Sequence, residues 1–319
     1  MASDSFPTIE TVTAIVEKHR DSLSLERIEQ VDTTLIGRGE ANLNLLVRVN
    51  QSRCFNLRIG LRNHESECNL QNEFEVLKIV PKDVGPSAFA IDFQQTHLPQ
   101  PYMLLEYIDG KLKPKWNLTD LQAHARTLAR LHQRKFCGHG AVYHLSNAPY
   151  DFLQRFDVAI NYWQIHHPYL FDILIVKRLL PSIHHFVTLH NDLFRGLRHF
   201  SIIHGDAHPL NILFSNNRVR YIDWERAAIG DPASDIAMIG WDIATSWQMK
   251  LTGEWFSSFL DTYLTLEPDA TLCQRRDVWM VYTMFFDQMY HRTQMTTDLT
   301  DKHSYTVRQI ETYLTNRFL

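Results

Sequence analysis

The sequence predicts an α+β chain in two parts, a small antiparallel sheet followed by a larger and mainly helical region. Strand-length apolar runs dominate the first hundred residues, helical spacing dominates after residue 110, and a short strand-like interlude returns at residues 201–229. A length of 319 residues also exceeds what one hydrophobic core usually organises.

Taken in order, residues 43–49 (LNLLVRV) and 54–59 (CFNLRI) are apolar, partly alternating runs separated by Asn50, Gln51 and Ser52, which is a hairpin pattern. From about Glu65 the period changes: Leu70, Phe74, Leu77 and Val80 recur at helical spacing until Pro81 stops the run. Residues 102–105 (YMLL) read as a buried strand. That strand runs into Ile108-Asp109-Gly110 and a stretch with Lys111, Lys113, Pro114 and Lys115, which reads as a linker. The pattern therefore divides the chain into residues 1–107 and 108–319. Thr119 and Gln122 have capping-box spacing, and Leu121, Ala125, Leu128 and His132 follow on one helical face. Residues 150–200, rich in aromatics and histidines, predict two or more helices. After Pro232 the pattern is helical to Leu319.

Hydrophobic residues make up 45% of the chain and charged residues 21%, which excludes a disordered or fibrous chain. With 32 Lys+Arg against 36 Asp+Glu, a net charge of −4 argues against a nucleic-acid partner. No run approaches the ~18 apolar residues of a membrane span, so no membrane association is expected. The opening MASDSFPTIE lacks the basic and apolar regions of a secretory signal. Cys54, Cys68, Cys137 and Cys273 form no CxxC and read as reduced thiols, so the expected location is cytoplasmic. His166-His167 and His184-His185 are sequence neighbours that do not share a helix face, and no HExxH is present, so no metal site is expected there.

The chemistry concentrates in the interlude. His204-Gly205-Asp206-Ala207-His208-Pro209-Leu210-Asn211 is followed, twelve residues after Asn211, by Asp223 in Ile222-Asp223-Trp224-Glu225. An Asp, an Asn five residues on and a later Asp form the pattern of kinase-type phosphoryl transfer. A loop Asp can accept the hydrogen bond of an attacking hydroxyl, while an amide and a carboxylate oxygen suit Mg²⁺ against phosphate oxygens. Positioning and charge neutralisation then carry most of the rate. His208 either holds the loop or touches phosphate. His204 reads as structural, bonding backbone near the Asp223 turn.

These residues, with Gly230-Asp231-Pro232-Ala233-Ser234-Asp235, resemble the aminoglycoside phosphotransferase and choline kinase family, within the protein-kinase-like fold. Weaker likeness runs from about Leu35 to the C-terminal helices. The resemblance implies a bilobal protein-kinase-like architecture. It also implies Asp206 as catalytic base, Asn211 and Asp223 as magnesium ligands, and Asp235 as a structural Asp that bonds back to the 204–211 loop. A helix N-cap is the simpler role for Asp235, and the two are compatible. Residues 36–42 (IGRGEAN) fall where the family has a glycine-rich turn ending in Asn, so Gly37 and Gly39 would let backbone N–H groups approach phosphate. A plain β-turn explains them equally well, and Arg38 stands where relatives commonly carry glycine. Arg58 takes the place of the usual kinase lysine, with Glu73 as helix partner and Glu75 as the alternative. Met103 would back the adenine pocket, Glu106 and Ile108 would form the hinge whose backbone reads the base, and Ile222 would line the pocket before Asp223. A strand end is the other reading of the hinge.

The implied activity is ATP- and Mg²⁺-dependent transfer of the γ-phosphate to a hydroxyl of a small molecule. Arg38 and Arg58 keep open the alternative of a catalytically weak nucleotide-binding module, beside a kinase for another metabolite or a protein side chain. Asp223-Trp224-Glu225 replaces Asp-Phe-Gly, no Ala-Pro-Glu follows, and Gly230 comes seven residues after Asp223, too soon for an activation loop. A small alcohol therefore fits better than a protein. Residues 241–319 carry 7 basic and 10 acidic residues. Asp242, Asp261, Glu267 and Asp287 beside Trp241, Trp255, Phe285 and Tyr290 point to a cationic acceptor such as an aminoglycoside or amino alcohol. Solvated helix faces are the plainer account of those acids.

Overall fold

A computed structural model describes residues 6–39, 41–61, 63–215, 218–245, 253–295 and 300–319. The chain opens with α1 (Ile9–Lys18), β1 (Val31–Arg38), β2 (Asn42–Val49), β3 (Arg53–Gly60), α2 (Asn63–Leu77), β4 (Ala88–Asp92) and β5 (Tyr102–Glu106). It continues through α3 (Leu118–His132), the short strands β6 (Lys135–Phe136), β7 (His139–Ala141) and β8 (His144–Ser146), α4 (Phe152–His166), α5 (Leu174–His190) and the single turn α6 (Asp192–Arg195). Strands β9 (Phe200–Ile203), β10 (Ile212–Ser215), β11 (Arg218–Tyr221) and β12 (Ala228–Gly230) precede α7 (Ala233–Thr245), α8 (Gly253–Leu266), α9 (Leu272–Gln294) and α10 (Thr300–Phe318). Two compact units result: Met1–Lys111 with Leu213–Ala227, and Leu112–Ile212 with Ala228–Leu319. The sequence pattern divides the chain after residue 107 and leaves residues 213–227 in the second part. The contacts of that segment put it in the first.

The first unit is an antiparallel sheet in the order β1-β2-β3-β5-β4. Alternation works as the pattern requires: Leu43, Leu45, Val47 and Val49 of β2 share one core with Phe55, Leu57 and Ile59 of β3. Val12, Ile15 and Val16 of α1 close that core. This helix is absent from the sequence expectation, although Thr8 caps it by accepting from the Thr11 N–H at 3.2 Å. Asn50 (φ 50°) and Gln51 (φ 57°) turn β2 into β3 through a left-handed pair, closed by Ser52 N–H to Val49 O at 3.2 Å. Asn50 tolerates that geometry because its side chain is tied down elsewhere: its oxygen accepts from Glu29 and Gln30 N–H, and its amide donates to Arg27 O. Helix α2 stops at Leu77, one turn before Pro81. The expected linker is not free. Lys111 exchanges two 3.0 Å backbone hydrogen bonds with Phe214, and a Cβ on Gly110 would lie 2.9 Å from that of Leu213.

The second unit holds the helices around a small sheet ordered β6-β9-β12-β7-β8. Strands of two or three residues are too short to show a period, which is why β6 to β8 escape the sequence. The capping box of α3 lies two residues before the expected one. Asn117 and Asp120 bond reciprocally at 2.9 and 3.1 Å, and Thr119 is already inside the helix. Helix α9 is buried on most of its surface, with Arg275 inside the core. Among the described residues no helix is long and apolar enough to cross a membrane.

Candidate active site

In the second unit, the four buried residues of β9 deliver the 204–211 loop. Asp235 pins its start. This fully buried carboxylate accepts the N–H groups of His204 and Gly205 at 2.8 Å each and meets His132 Nε2 at 3.2 Å. Burial alone would raise the Asp235 carboxyl, but His132, His204 and the loop N–H hold it below the usual carboxylate range. His132 is in turn 2.8 Å from the Tyr263 hydroxyl. Asp235 lies inside the first turn of α7 and does not precede it, and Asp231 accepts the Ala233 N–H at the start of that helix at 3.1 Å. Asp231 also receives Arg275 and the Trp279 indole N–H, a buried lock that the sequence reading missed.

Gly205 (φ 76°) needs the left-handed region that glycine permits. Past it, the His204 ring accepts the Asp206 N–H at 3.2 Å. Asn211 donates its amide to the Asp206 carbonyl at 3.0 Å. His208 accepts the Leu210 N–H at 3.2 Å and sits 3.7 Å from the Asp206 carboxylate. The Asp206 carboxylate, 23% exposed, thus emerges from a backbone fixed on both sides.

The first unit contains a buried cation among three carboxylates. Arg58, on β3, places Nε 3.2 Å from Glu73 and Nη2 2.5 Å from Asp223 and 3.5 Å from Glu225. The expected Arg58–Glu73 pair is present, whereas Glu75 pairs with Lys78 at 2.7 Å. Burial opposes the charge on Arg58, and the three carboxylates outweigh it, so the guanidinium is held above its ordinary value. Burial pushes the Glu73 carboxyl up to about 7 even though Arg58 pulls it down, because Asp223 and Glu225 add like charge. Burial and Asp223 also raise Glu225. Asp223 itself sits at φ 67°, unusual for a non-glycine residue. Helix α2 supports the strained turn: Glu73 accepts the Trp224 N–H at 3.2 Å, and Asn72 donates to Ala227 O at 2.8 Å and Glu225 O at 3.3 Å. Glu225 was not among the expected site residues. Its sequence signal was its place in the Ile222–Glu225 motif that carries the family resemblance.

Neither Gly37 nor Gly39 adopts a left-handed φ, and an added Cβ would meet nothing nearer than 4.0 and 3.7 Å. Local structure therefore does not demand glycine at either position. Gly39 N–H closes the turn on Asn42 O at 2.9 Å, while Glu40 lies outside the described residues. Met103 is fully buried in β5, paired with Arg58 on one side and Ile91 on the other. The Glu106 N–H already donates to Ser87 O at 2.8 Å and cannot read a base. Its carboxylate binds Arg220 at 2.6 Å and the Ser87 N–H, which outweigh burial and lower it. Ile108 is buried, and its carbonyl accepts the Gly110 N–H at 3.0 Å. Ile222 is half-buried ahead of Asp223.

Of the residues expected around an acceptor, Glu267 is paired with Lys135 at 2.5 Å, and Phe285 is fully buried beside Phe156. Neither is available to a bound cation. Asp261 and Tyr290 are exposed, Trp241 is buried, and Trp255 and Asp287 are intermediate. The Asp242 side chain lies outside the described residues. Among the described residues, no group of three or more His, Cys, Asp or Glu side chains is arranged to hold a metal ion.

A sheet carrying a buried Arg–Glu pair, and a helical unit presenting a pinned Asp-to-Asn loop, define a protein-kinase-like fold. The chain belongs to the phosphotransferase enzyme family (APH), which it matches over residues 32–272. It is 24% identical to the Protein LicA homolog of Mycoplasma capricolum subsp. capricolum over 211 residues, 66% of this chain and 74% of the relative. The GDP and kanamycin complex of APH(2")-IIIa shares the fold with a TM-score of 0.65 and 18% identity, covering 98% of this chain and 100% of that one. An apo thermostable mutant of aminoglycoside phosphotransferase APH(4)-Ia matches with a TM-score of 0.63 and 14% identity, covering 97% and 99%. The chain is accordingly a small-molecule kinase with a hydroxyl acceptor.

Proposed function

We propose that the chain moves the γ-phosphate of ATP to a hydroxyl of a small cationic alcohol, with Mg²⁺ as cofactor. The observation that carries this reading is the Asp206 loop. Its carboxylate is accessible, while Asp235 and Asn211 fix the backbone on either side. Asp206 accepts the hydrogen bond of the acceptor hydroxyl, orients its oxygen toward the γ-phosphorus and takes up the proton. Arg58, kept charged by its carboxylates, supplies a fixed cation for phosphate oxygens. Gly37 and Gly39 leave bare backbone where phosphate approaches. Met103, Ile108, Ile222 and the carbonyl side of Glu106 border the base.

The donor set suits a hard cation. Asn211 directs its amide N–H to Asp206 and retains its oxygen as a ligand, and Asp223 offers a carboxylate that is 38% exposed. These two residues would hold Mg²⁺, which when bound neutralises charge on the phosphate oxygens. The complex of a relative with GDP supports nucleotide binding, and its kanamycin supports a cationic acceptor. The acidic balance of residues 241–319 and exposed Asp261 favour the same charge.

The test is a coupled ADP-release screen over cationic, neutral and anionic alcohols, run with wild type and Asp206→Asn. Turnover confined to amine-bearing alcohols and lowered at least about a hundredfold by the substitution is expected. Near-normal turnover by Asp206→Asn would remove Asp206 as the base, and preference for an anionic sugar would remove the cationic acceptor.

A further inference from the structure

Asn42 is the first residue of β2 and is buried, and its two polar ends bind in different directions. Its carbonyl accepts the Gly39 N–H at 2.9 Å, closing the glycine turn. Its side-chain amide donates to Glu225 Oε2 at 3.1 Å. That same carboxylate oxygen lies 3.5 Å from Arg58 Nη2. Glu225 does not drift, because Asn72 on α2 holds its carbonyl and that of Ala227. An unbroken chain of contacts therefore runs from Gly39 through Asn42 and Glu225 to Arg58, all within the first unit.

The turn is also tied by the Leu61 N–H, which donates to Ala41 O at 2.7 Å, and by the pairing of Arg38 with Leu43. A Cβ added at Gly37 or Gly39 would meet only ordinary neighbours, Asn44 at 4.0 Å and the Asn42 carbonyl at 3.7 Å, and β1 carries a register shift between Leu35 and Gly37. A turn with few packing contacts is held by its hydrogen bonds, and a buried amide on a carboxylate makes one of the stronger kinds.

We infer that Asn42 is a positioning residue for the nucleotide, a clamp that sets the glycine turn relative to the Arg58 guanidinium through Glu225. The inference rests on the proposed kinase reading, and it assigns Asn42 to nucleotide affinity and the Asp206 loop to chemistry.

The experiment exchanges donor and acceptor. Asn42→Asp sets two carboxylates against each other. Glu225→Gln keeps an acceptor for Asn42. The double variant restores the bond with reversed polarity, Gln at 225 donating to Asp at 42. Binding of Mg-ADP to the full chain is measured by calorimetry, with thermal melting of every variant and steady-state kinetics for ATP. Asn42→Asp should weaken Mg-ADP binding about tenfold, the scale of one charge-assisted hydrogen bond. It should raise KM for ATP in proportion, with kcat within about twofold. The double variant should return to within about threefold of Glu225→Gln alone. Asn42→Asp with a lowered melting temperature but unchanged affinity at a temperature where it is folded would overturn the inference. So would single effects that simply add in the double variant. Wild type that fails to bind Mg-ADP would overturn the kinase reading and the clamp together, whereas normal binding by Asn42→Asp would overturn the clamp alone.

Discussion

Asp235→Asn is the most decisive single perturbation, because the fully buried Asp235 accepts three hydrogen bonds with two oxygens. Oδ2 serves His204 N–H and His132, and Oδ1 serves Gly205 N–H. An Asn side chain keeps one oxygen, best used at the doubly bonded position, so its NH₂ then faces the Gly205 N–H. A buried donor left without an acceptor costs about 1–3 kcal/mol. Replacing a charged acceptor by a neutral one weakens the other two bonds by about 1 kcal/mol each. The expected loss is about 3–5 kcal/mol, a large part of the ~5–15 kcal/mol by which folded proteins are usually stable. Urea denaturation followed by tryptophan fluorescence reads it directly. Turnover should also fall, since Gly205 adjoins Asp206. The pH dependence has a definite sign. The Asp235 pKa is lowered in the fold, so its contribution is complete above the unfolded carboxylate value and is lost as pH falls through the folded one. The gap between wild type and variant should therefore hold from pH 8 to 5 and close only below about pH 4. A loss under about 1 kcal/mol would refute the pinning argument. A gap already closing between pH 7 and 5 would refute the assignment of the effect to the Asp235 carboxylate.

Arg275→Met should destabilise the second unit by about 3–5 kcal/mol, because it leaves the buried Asp231 carboxylate without its counter-charge, measurable as a shift in the urea midpoint. Glu73→Gln should flatten the pH dependence of the melting temperature. Glu73 is raised to about 7 in the fold, so it favours the fold below its unfolded pKa, and that contribution is lost as pH rises through about 7. A wild-type profile that rises between pH 5 and 7 in step with that of Glu73→Gln would contradict this. Asp223→Ala should remove the magnesium dependence of ADP binding in calorimetry, and dependence that survives would exclude Asp223 as a ligand.

Residue chemistry and spacing were enough to read the α+β class, the β2–β3 hairpin, α2, the strand through Met103 and the helical C-terminal region. Those elements are long or strongly periodic, and each buries its own apolar face. The Asp206-to-Asn211 loop was legible for a similar reason: its bonds are local, closing over five residues through Asn211 and the Asp206 carbonyl. The Arg58–Glu73 pair was legible only through the likeness to a known family, since no periodicity links residue 58 to residue 73.

Contacts between residues far apart in the chain were decided by tertiary structure alone. Asn117, not Thr119, begins α3, because a cap depends on backbone geometry as well as residue type. Residues 213–227 join the first unit because Lys111 pairs with Phe214 and Asn72 holds the carbonyls of Glu225 and Ala227. Glu106 gives its N–H to Ser87 and its carboxylate to Arg220, 114 positions away, a partner that no local pattern announces. Glu225 reaches Asn42 across 183 positions of sequence. Local pattern is fixed by neighbours within a turn or a strand pair, whereas the partner of a buried charge is whichever residue the packed backbone brings within about 3–4 Å.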